Sequence, residues 1–457
     1  MQSYERLHHS DDARRWSTFI RRGEALYALA TVIAGTDGAD GLGGANWAFR
    51  HRERASTQGI DLKPHTDDPR SSETYLQAAR GNFGNAYAPT LVELGWLTGS
   101  NVPVVQDRGA ELAEAFGEAI GNAGALIEEV LKDGVATAHQ LAIIGAAIHP
   151  AAIPEGSTEQ QALKNFVLGE WEEEKGGKAR RATIWLLLDL YSKGVAVGNL
   201  DAVRTAFYAR TLPDGSTYQP PGVSVDRWRA YQANEYCHIA LECLVNTLIG
   251  AQRSEHDAGA TPRQLVGEVT AQAQLPTAVT WSEWADSVAA TETRADDVLA
   301  QTVLRNLATG ERPDPATIGD AVRLLGLLWA RWADGDGGVR EVIARAAGPG
   351  GRSLDGVMRT INAGHDEPAG DALAAVLHKH IIVDHQLIAG RKLSAAGTFT
   401  YHFLIEDGML SDGLLGEYGY TNPRLGNLTR VLRDAGLLSL DGVTAAGEAF
   451  REQNQPL

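Results

Sequence analysis

The sequence predicts a mainly α-helical protein: a multi-helix body flanked by smaller modules that carry short β-hairpins. Three observations predict it. Apolar residues recur every three or four positions through most of residues 121–394, the period of helices with one buried face. After residue 395 the period drops to two, as in a strand. Residues 84–116, GNAYAPTLVELGWLTGSNVPVVQDRGAELAEAF, also read like residues 422–450, NPRLGNLTRVLRDAGLLSLDGVTAAGEAF. Each runs through a helix-like segment to Gly-Trp-Leu or Gly-Leu-Leu, crosses a short insert, and meets a glycine that opens a second helix-like segment.

Four segments follow from this reading: 1–64, an N-terminal helix and Gly-rich loop; 65–120, the first small module; 121–394, the helical body; and 395–457, a strand plus the second module. A chain of 457 residues exceeds one ordinary core. With 44% hydrophobic and 22% charged residues it has a globular composition, unlike collagen, mucin or a disordered chain. A net charge of −17 repels a phosphate backbone over most of the surface, so any grip on nucleic acid needs a local basic face. The only two cysteines, Cys237 and Cys243, fall on different faces of one helix. That excludes a disulfide framework and fits a reducing cytosol. The N-terminus lacks an apolar signal core. The run ATIWLLLDLY (182–191) is broken by Asp189 and falls short of the roughly 20 residues a bilayer needs. The expectation is a cytoplasmic protein with no membrane contact and no cofactor.

Taken in order, Trp16, Phe19, Ile20, Leu26, Leu29 and Ile33 predict a helix over 13–34. Residues 34–49 are read as a glycine loop. They lack the spacing of a phosphate cradle, and Asp37 and Asp40 lack the remaining ligands of a calcium loop. Residues 56–72 are read as polar and irregular. Residues 225–250 are apolar nearly all round and are expected deep in the body. In 314–338, Asp314-Pro315 starts a helix, Ile318, Val322, Leu325, Trp329 and Trp332 make one face, and Gly335 stops it. Breaks are expected at 172–181, 211–222, 253–263 and 346–352. Phe399, Tyr401, Phe403 and Ile405 alternate with polar neighbours as a strand that turns at Asp407-Gly408.

The tail carries the most specific pattern. Residues 411–420 are read as a support helix and Thr421–Arg424 as a turn. Leu425–Gly436 forms a second helix that turns Leu425, Leu428, Val431 and Leu432 inward and stops at Gly436. Leu437–Val443 is read as a hairpin bent at Asp441-Gly442, and Thr444 as the N-cap of a last helix. This succession, Leu432–Leu438 followed by Thr444–Gly447, resembles the winged helix-turn-helix family over about 50 residues. A plain helix pair with a hairpin is the alternative. Residues 85–120 are a less faithful second copy with a longer insert. The resemblance implies DNA contact by the second helix of the tail module, through Arg424, Asn427, Thr429, Arg430 and Arg433. The first copy has no Lys or Arg between Arg80 and Arg108 and is read as a protein-contact element.

Other constellations bear on chemistry. His378, His380, Asp384 and His385 superficially resemble the zinc motif of the metallo-β-lactamase fold, but with two extra residues and a helical setting. His380 and Asp384 are expected as helix neighbours, with His378 and His385 together on the other side, so two separate pairs would need a further ligand from His402, Glu406 or Asp407. Arg391-Lys392 with Glu406-Asp407 invites comparison with metal-dependent nucleases, in the wrong order. Glu235 and His238 are read as a buried polar pair. No serine nucleophile elbow is present. The chain as a whole is also faintly similar to uncharacterised bacterial proteins of antiphage defence loci, and its layout resembles kleisin-type subunits. The expected function is therefore a non-enzymatic, DNA-associated or assembly subunit of a protein complex, in a setting of antiviral defence. The alternatives are a metal-dependent nuclease or hydrolase using His378–His385 with Glu406 and Asp407, and a protein-only scaffold of kleisin-like layout.

Overall fold

The computed structural model describes residues 12–35, 42–93, 96–98, 104–105, 107–149, 153–169, 177–256, 259–333, 354–396, 399–421 and 425–456. Helices dominate, as the apolar period predicts. The strands among the described residues form three antiparallel pairs of two. The chain divides into two units: the first is built from 1–192, 196–198 and 426–456, the second mainly from 199–425. Those boundaries differ from the four segments expected, because the chain's last helices belong with its first 190 residues.

In the first unit, Asp12 caps α1 (Ala13–Ala34) by accepting from the amides of Arg14 and Arg15. This helix buries Leu26, Leu29 and Val32 among others, and packs against α7 (Ala138–Ile148). The two helices cross so closely that a Cβ on Gly145 would lie 2.4 Å from the Ala30 carbonyl oxygen. Residues 45–49, expected in a loop, already belong to α2 (Ala45–Gln58), which buries Trp47, Ala48 and Ala55. Polar residues on the other positions of α2 hid it from a hydrophobic reading. Asp37 and Asp40 lie outside the described residues. β1 (Ile60–Asp61) pairs with β4 (Val135–Ala136), and a single turn, α3 (Lys63–Thr66), follows β1. The irregular stretch 67–82 is held by one buried cation. Arg21 donates to the carbonyls of Thr66 and Leu76 at 2.8 Å each, to the Thr74 hydroxyl at 2.6 Å and to the Ala78 carbonyl. A π-helical turn, Phe83–Tyr87, runs into α4 (Ala88–Glu93). Then come β2 (Leu97–Thr98), β3 (Val104–Val105), α5 (Asp107–Ile120) and α6 (Ala123–Asp133). α8 (Thr158–Leu168) and α9 (Gly177–Ser192) complete this part.

The second unit contains α10 (Leu200–Ala209), α11 (Ser224–Glu255), α12 (Pro262–Gln272), α13 (Trp281–Thr291), α14 (Asp296–Leu307) and α15 (Pro315–Trp332). α16 (Leu354–Asn362) and α17 (Ala369–Val376) follow, then a π-helical stretch Leu377–Val383 and α18 (Asp384–Ala396). As expected, α11 sits deep: Ala233, Tyr236, Cys237, Ala240, Cys243 and Leu244 are buried on successive turns. α15 starts at its predicted cap, where Asp314 accepts from the Thr317 amide at 2.7 Å. Gly335 and residues 346–352 lie outside the described residues. The two thiols are free and buried, and burial pushes both up to about 12.

Three expectations need correction. Residues 399–403 are not a strand. The pair is β5 (Leu404–Glu406) with β6 (Met409–Ser411), joined at Asp407-Gly408 with φ of 50° and 77°. The support helix expected at 411–420 is absent. Residues 412–421 form neither helix nor strand and belong to the second unit, tied to polar groups of α11. Asn246 donates to the Gly416 carbonyl and accepts from its amide, at 2.8 and 3.0 Å, and Glu235 accepts from the Thr421 amide at 2.7 Å. Two polar side chains buried on an apolar helix need backbone partners, and a segment with three glycines can supply them only by staying unwound. Glu235 therefore does not pair with His238, which instead meets Glu242 at 3.0 Å.

The tail returns to the first unit as α19 (Leu425–Asp434) and α20 (Ala445–Gln453). Between them the expected hairpin is a single bridged pair, Leu438 with Val443, closed by the Ser439 amide on the Gly442 carbonyl at 2.8 Å. Gly436 takes the left-handed conformation at φ 73°, and Thr444 caps α20 by accepting from the Gly447 amide, both as expected.

Candidate nucleic-acid interface

α19 is two-faced. Leu425, Thr429 and Leu432, spaced by four and three, are buried. Asn427, Arg430 and Arg433, spaced by three, are exposed on the opposite side. Of the five residues expected to contact DNA, these three share a surface. Arg424 lies outside the described residues. Thr429 corrects the reading: it is 4% exposed, and its hydroxyl meets the Tyr191 hydroxyl at 2.9 Å. The helical period that exposes Arg430 turns Thr429 inward, where it fastens α19 to α9.

α9 also packs against the last helix, α20. Trp185 donates from Nε1 to the Arg451 carbonyl at 2.8 Å, and the Arg451 guanidinium lies 3.3 Å from Asp189. Asp189, the residue that breaks the apolar run of α9, is only 1% exposed. A buried carboxylate needs a cation, and the tail provides it from 262 positions away. Arg451 also pairs with Glu448 at 2.8 Å, so it is committed to packing. The exposed face of α19 is not purely cationic. Asp434 closes the helix, and burial raises its carboxyl above the ordinary range while Arg433 and Arg430 pull it back.

Among the described residues, the histidine-rich helix does not bring its His and Asp ligand atoms into one cluster. His378 is exposed. His380 is occupied at both ring nitrogens, Nδ1 by Asp384 at 3.1 Å and Nε2 by the Thr360 hydroxyl at 2.9 Å. His380 and Asp384 are thus neighbours, as expected. His385 turns elsewhere: its Nε2 accepts from the His402 amide at 3.0 Å, and burial pushes its pKa down to about 4. The π-helical stretch at 377–383 breaks the register that would have set His378 beside His385. Glu406 and Asp407 are exposed at the β5–β6 turn. Among the described residues, the one close grouping of His, Cys, Asp and Glu ligand atoms is Glu255, His256 and Glu268 in the second unit.

No family model, no curated protein and no solved structure matches this chain. No helix among the described residues is long and apolar enough to cross a membrane.

The sequence reading missed the anchors Tyr191 and Arg451, for which local sequence holds no signal because their partners are remote. It also missed a polar cleft along α2. There the signal was present: NWAFRHRER sets Trp47, Arg50, His51 and Arg54 at spacings of three, one and three, on one side of a helix.

Proposed function

We propose that the protein is a non-enzymatic, DNA-associated subunit whose tail acts as a winged-helix-like module, with α9 as the supporting helix. The observation that supports this reading is the division of α19 into a buried face, tied to α9 by the Thr429–Tyr191 hydroxyl contact, and an opposite face carrying Asn427, Arg430 and Arg433. These are donors of the kind that reach phosphates and base edges. The −17 net charge confines contact to that face, so retention of DNA falls steeply with salt. Membership of a complex and a setting in bacterial defence are carried by resemblance alone.

A shift assay of the full chain on a duplex of ~20 bp tests the reading, with salt titrated. Arg430→Ala plus Arg433→Ala lowers affinity by about tenfold or more and reduces the salt slope by about 2. Retention that is unchanged in this variant, or absent even at low salt, removes the proposal and leaves a scaffold that touches only protein. Both arginines are exposed, so the variant keeps its fold.

A further inference from the structure

A cleft of about 770 Å³ opens in the first unit between α2, the loop 72–74 and the β1–β4 pair. Trp47 lines it, 2% exposed, and its Nε1 has no acceptor among the described residues. A buried indole N–H without a partner is costly and calls for an explanation. His51 and His65 pack on the same indole, with ring centroids at 4.8 and 5.3 Å from it and 4.9 Å from each other. Each histidine has Nδ1 on a backbone carbonyl: His51 on Trp47 at 2.8 Å, His65 on Glu73 at 2.7 Å. A carbonyl only accepts, so Nδ1 carries the proton in both rings, and Nε2 is the atom left for a ligand. Arg50 and Arg54, one turn apart on α2, also line the cleft, and neither forms an ion pair among the described residues.

We infer that this cleft binds a small phosphate-bearing molecule of nucleotide size. Two guanidinium forks on one wall match phosphate oxygens bidentately, and the indole N–H is a further donor for an oxygen that reaches it. The volume falls within the range of small-molecule sites. A metal ion fits less well. The two rings offer two ligand atoms, no third His, Cys, Asp or Glu atom among the described residues converges on them, and the neighbouring guanidiniums repel a cation. Asp61 and Glu73 line the cleft as well, both exposed, and they disfavour a ligand that is anionic throughout. A nucleotide places its charge at one end only.

Calorimetric titration of the full chain with inorganic phosphate, AMP, ATP and adenosine tests this. AMP or ATP saturates below about 1 mM, tighter than adenosine and tighter than inorganic phosphate. Arg50→Ala plus Arg54→Ala weakens that binding by about tenfold or more. Trp47→Phe keeps the ring, removes the donor and weakens it by about threefold to tenfold. Absence of saturation by AMP and ATP at 1 mM overturns the inference. So does binding that the arginine variant leaves intact, or an inorganic phosphate affinity equal to that of the nucleotides. A duplex competing for the same arginines would overturn it in favour of nucleic acid. None of these residues lies on α19, so loss of the DNA reading leaves this one standing.

Discussion

The regions 83–120 and 426–453, both in the first unit, end their leading helices in the same way. The Trp96 amide donates to the Leu91 carbonyl at 2.8 Å, and the Leu437 amide donates to the Leu432 carbonyl at 2.9 Å. Each bond spans five residues, and the pairs are offset by the same 341 positions. Next, Leu97 pairs with Val105, as Leu438 pairs with Val443. Each region then starts its closing helix with a glycine packed on the carbonyl of that same Trp96 or Leu437. α8 touches both: the Phe166 ring lies edge-on to Trp96, with ring centroids 3.6 Å apart, and Gln160 donates to the Asp434 carbonyl at 3.2 Å. The likeness read in the sequence is therefore a likeness of backbone hydrogen bonds. The difference lies outside that frame, since only the tail copy carries arginines on its leading helix. Packing and recognition are separable demands on one backbone plan.

The largest test of that comparison is steric. A Cβ at Gly447 would stand 2.2 Å from the Leu437 carbonyl oxygen, and one at Gly109 2.9 Å from that of Trp96. Gly447→Ala is expected to cost about 3 kcal/mol, and Gly109→Ala about 1 kcal/mol, by chemical denaturation. Equal sensitivity, or tolerance at both, breaks the correspondence.

Next in size is the cap. Thr444→Ala loses the acceptor for the Gly447 amide and a 2.7 Å bond to the Gly436 carbonyl, at about 1 kcal/mol. Tyr191→Phe probes what fastens only the tail copy. Losing its bond to Thr429 costs about 1 kcal/mol, and that cost falls further in a Thr429→Val background if the two hydroxyls act as a pair.

The smallest effect is a slope with pH. Burial holds the Asp434 carboxyl above its ordinary value of 3.8, so the folded protein keeps this proton at a pH where the unfolded chain has released it. Stability from this group is present below that value and is lost as pH rises through the raised one. Asp434→Asn flattens this part of the profile. A profile unchanged in the Asn variant would mean that Arg430 and Arg433 outweigh burial.

Much of the helical body was legible in the sequence because a buried stripe has a period that any window can see. The caps at Asp314 and Thr444 and the stop at Gly436 were legible because they depend on one residue and its immediate neighbours. What was not legible depended on distance. The stretch 411–420 scores as a helix locally, but Asn246 and Glu235, more than 160 positions earlier, claim its backbone. Thr429 reads as a polar helix residue until Tyr191 is placed beneath it. The histidines at 378–385 look like ligands while the helix is taken as regular, and the π-helical turn undoes that alignment. The missed helix at 45–58 fails for another reason: with three buried residues among charged ones, its stripe is too thin to show.

The first unit is made from both ends of the chain, with residues 199–425 lying between. During synthesis, Asp189 and Thr158–Leu168 leave the ribosome more than 200 residues before Arg451 and Asp434 exist to meet them. At about 5–20 residues per second, that wait lasts at least ~10 s. The intervening unit is free to fold in that time. The early part of the first unit must meanwhile wait for the tail helix α20 that packs on α9 and for the Arg451 guanidinium beside Asp189.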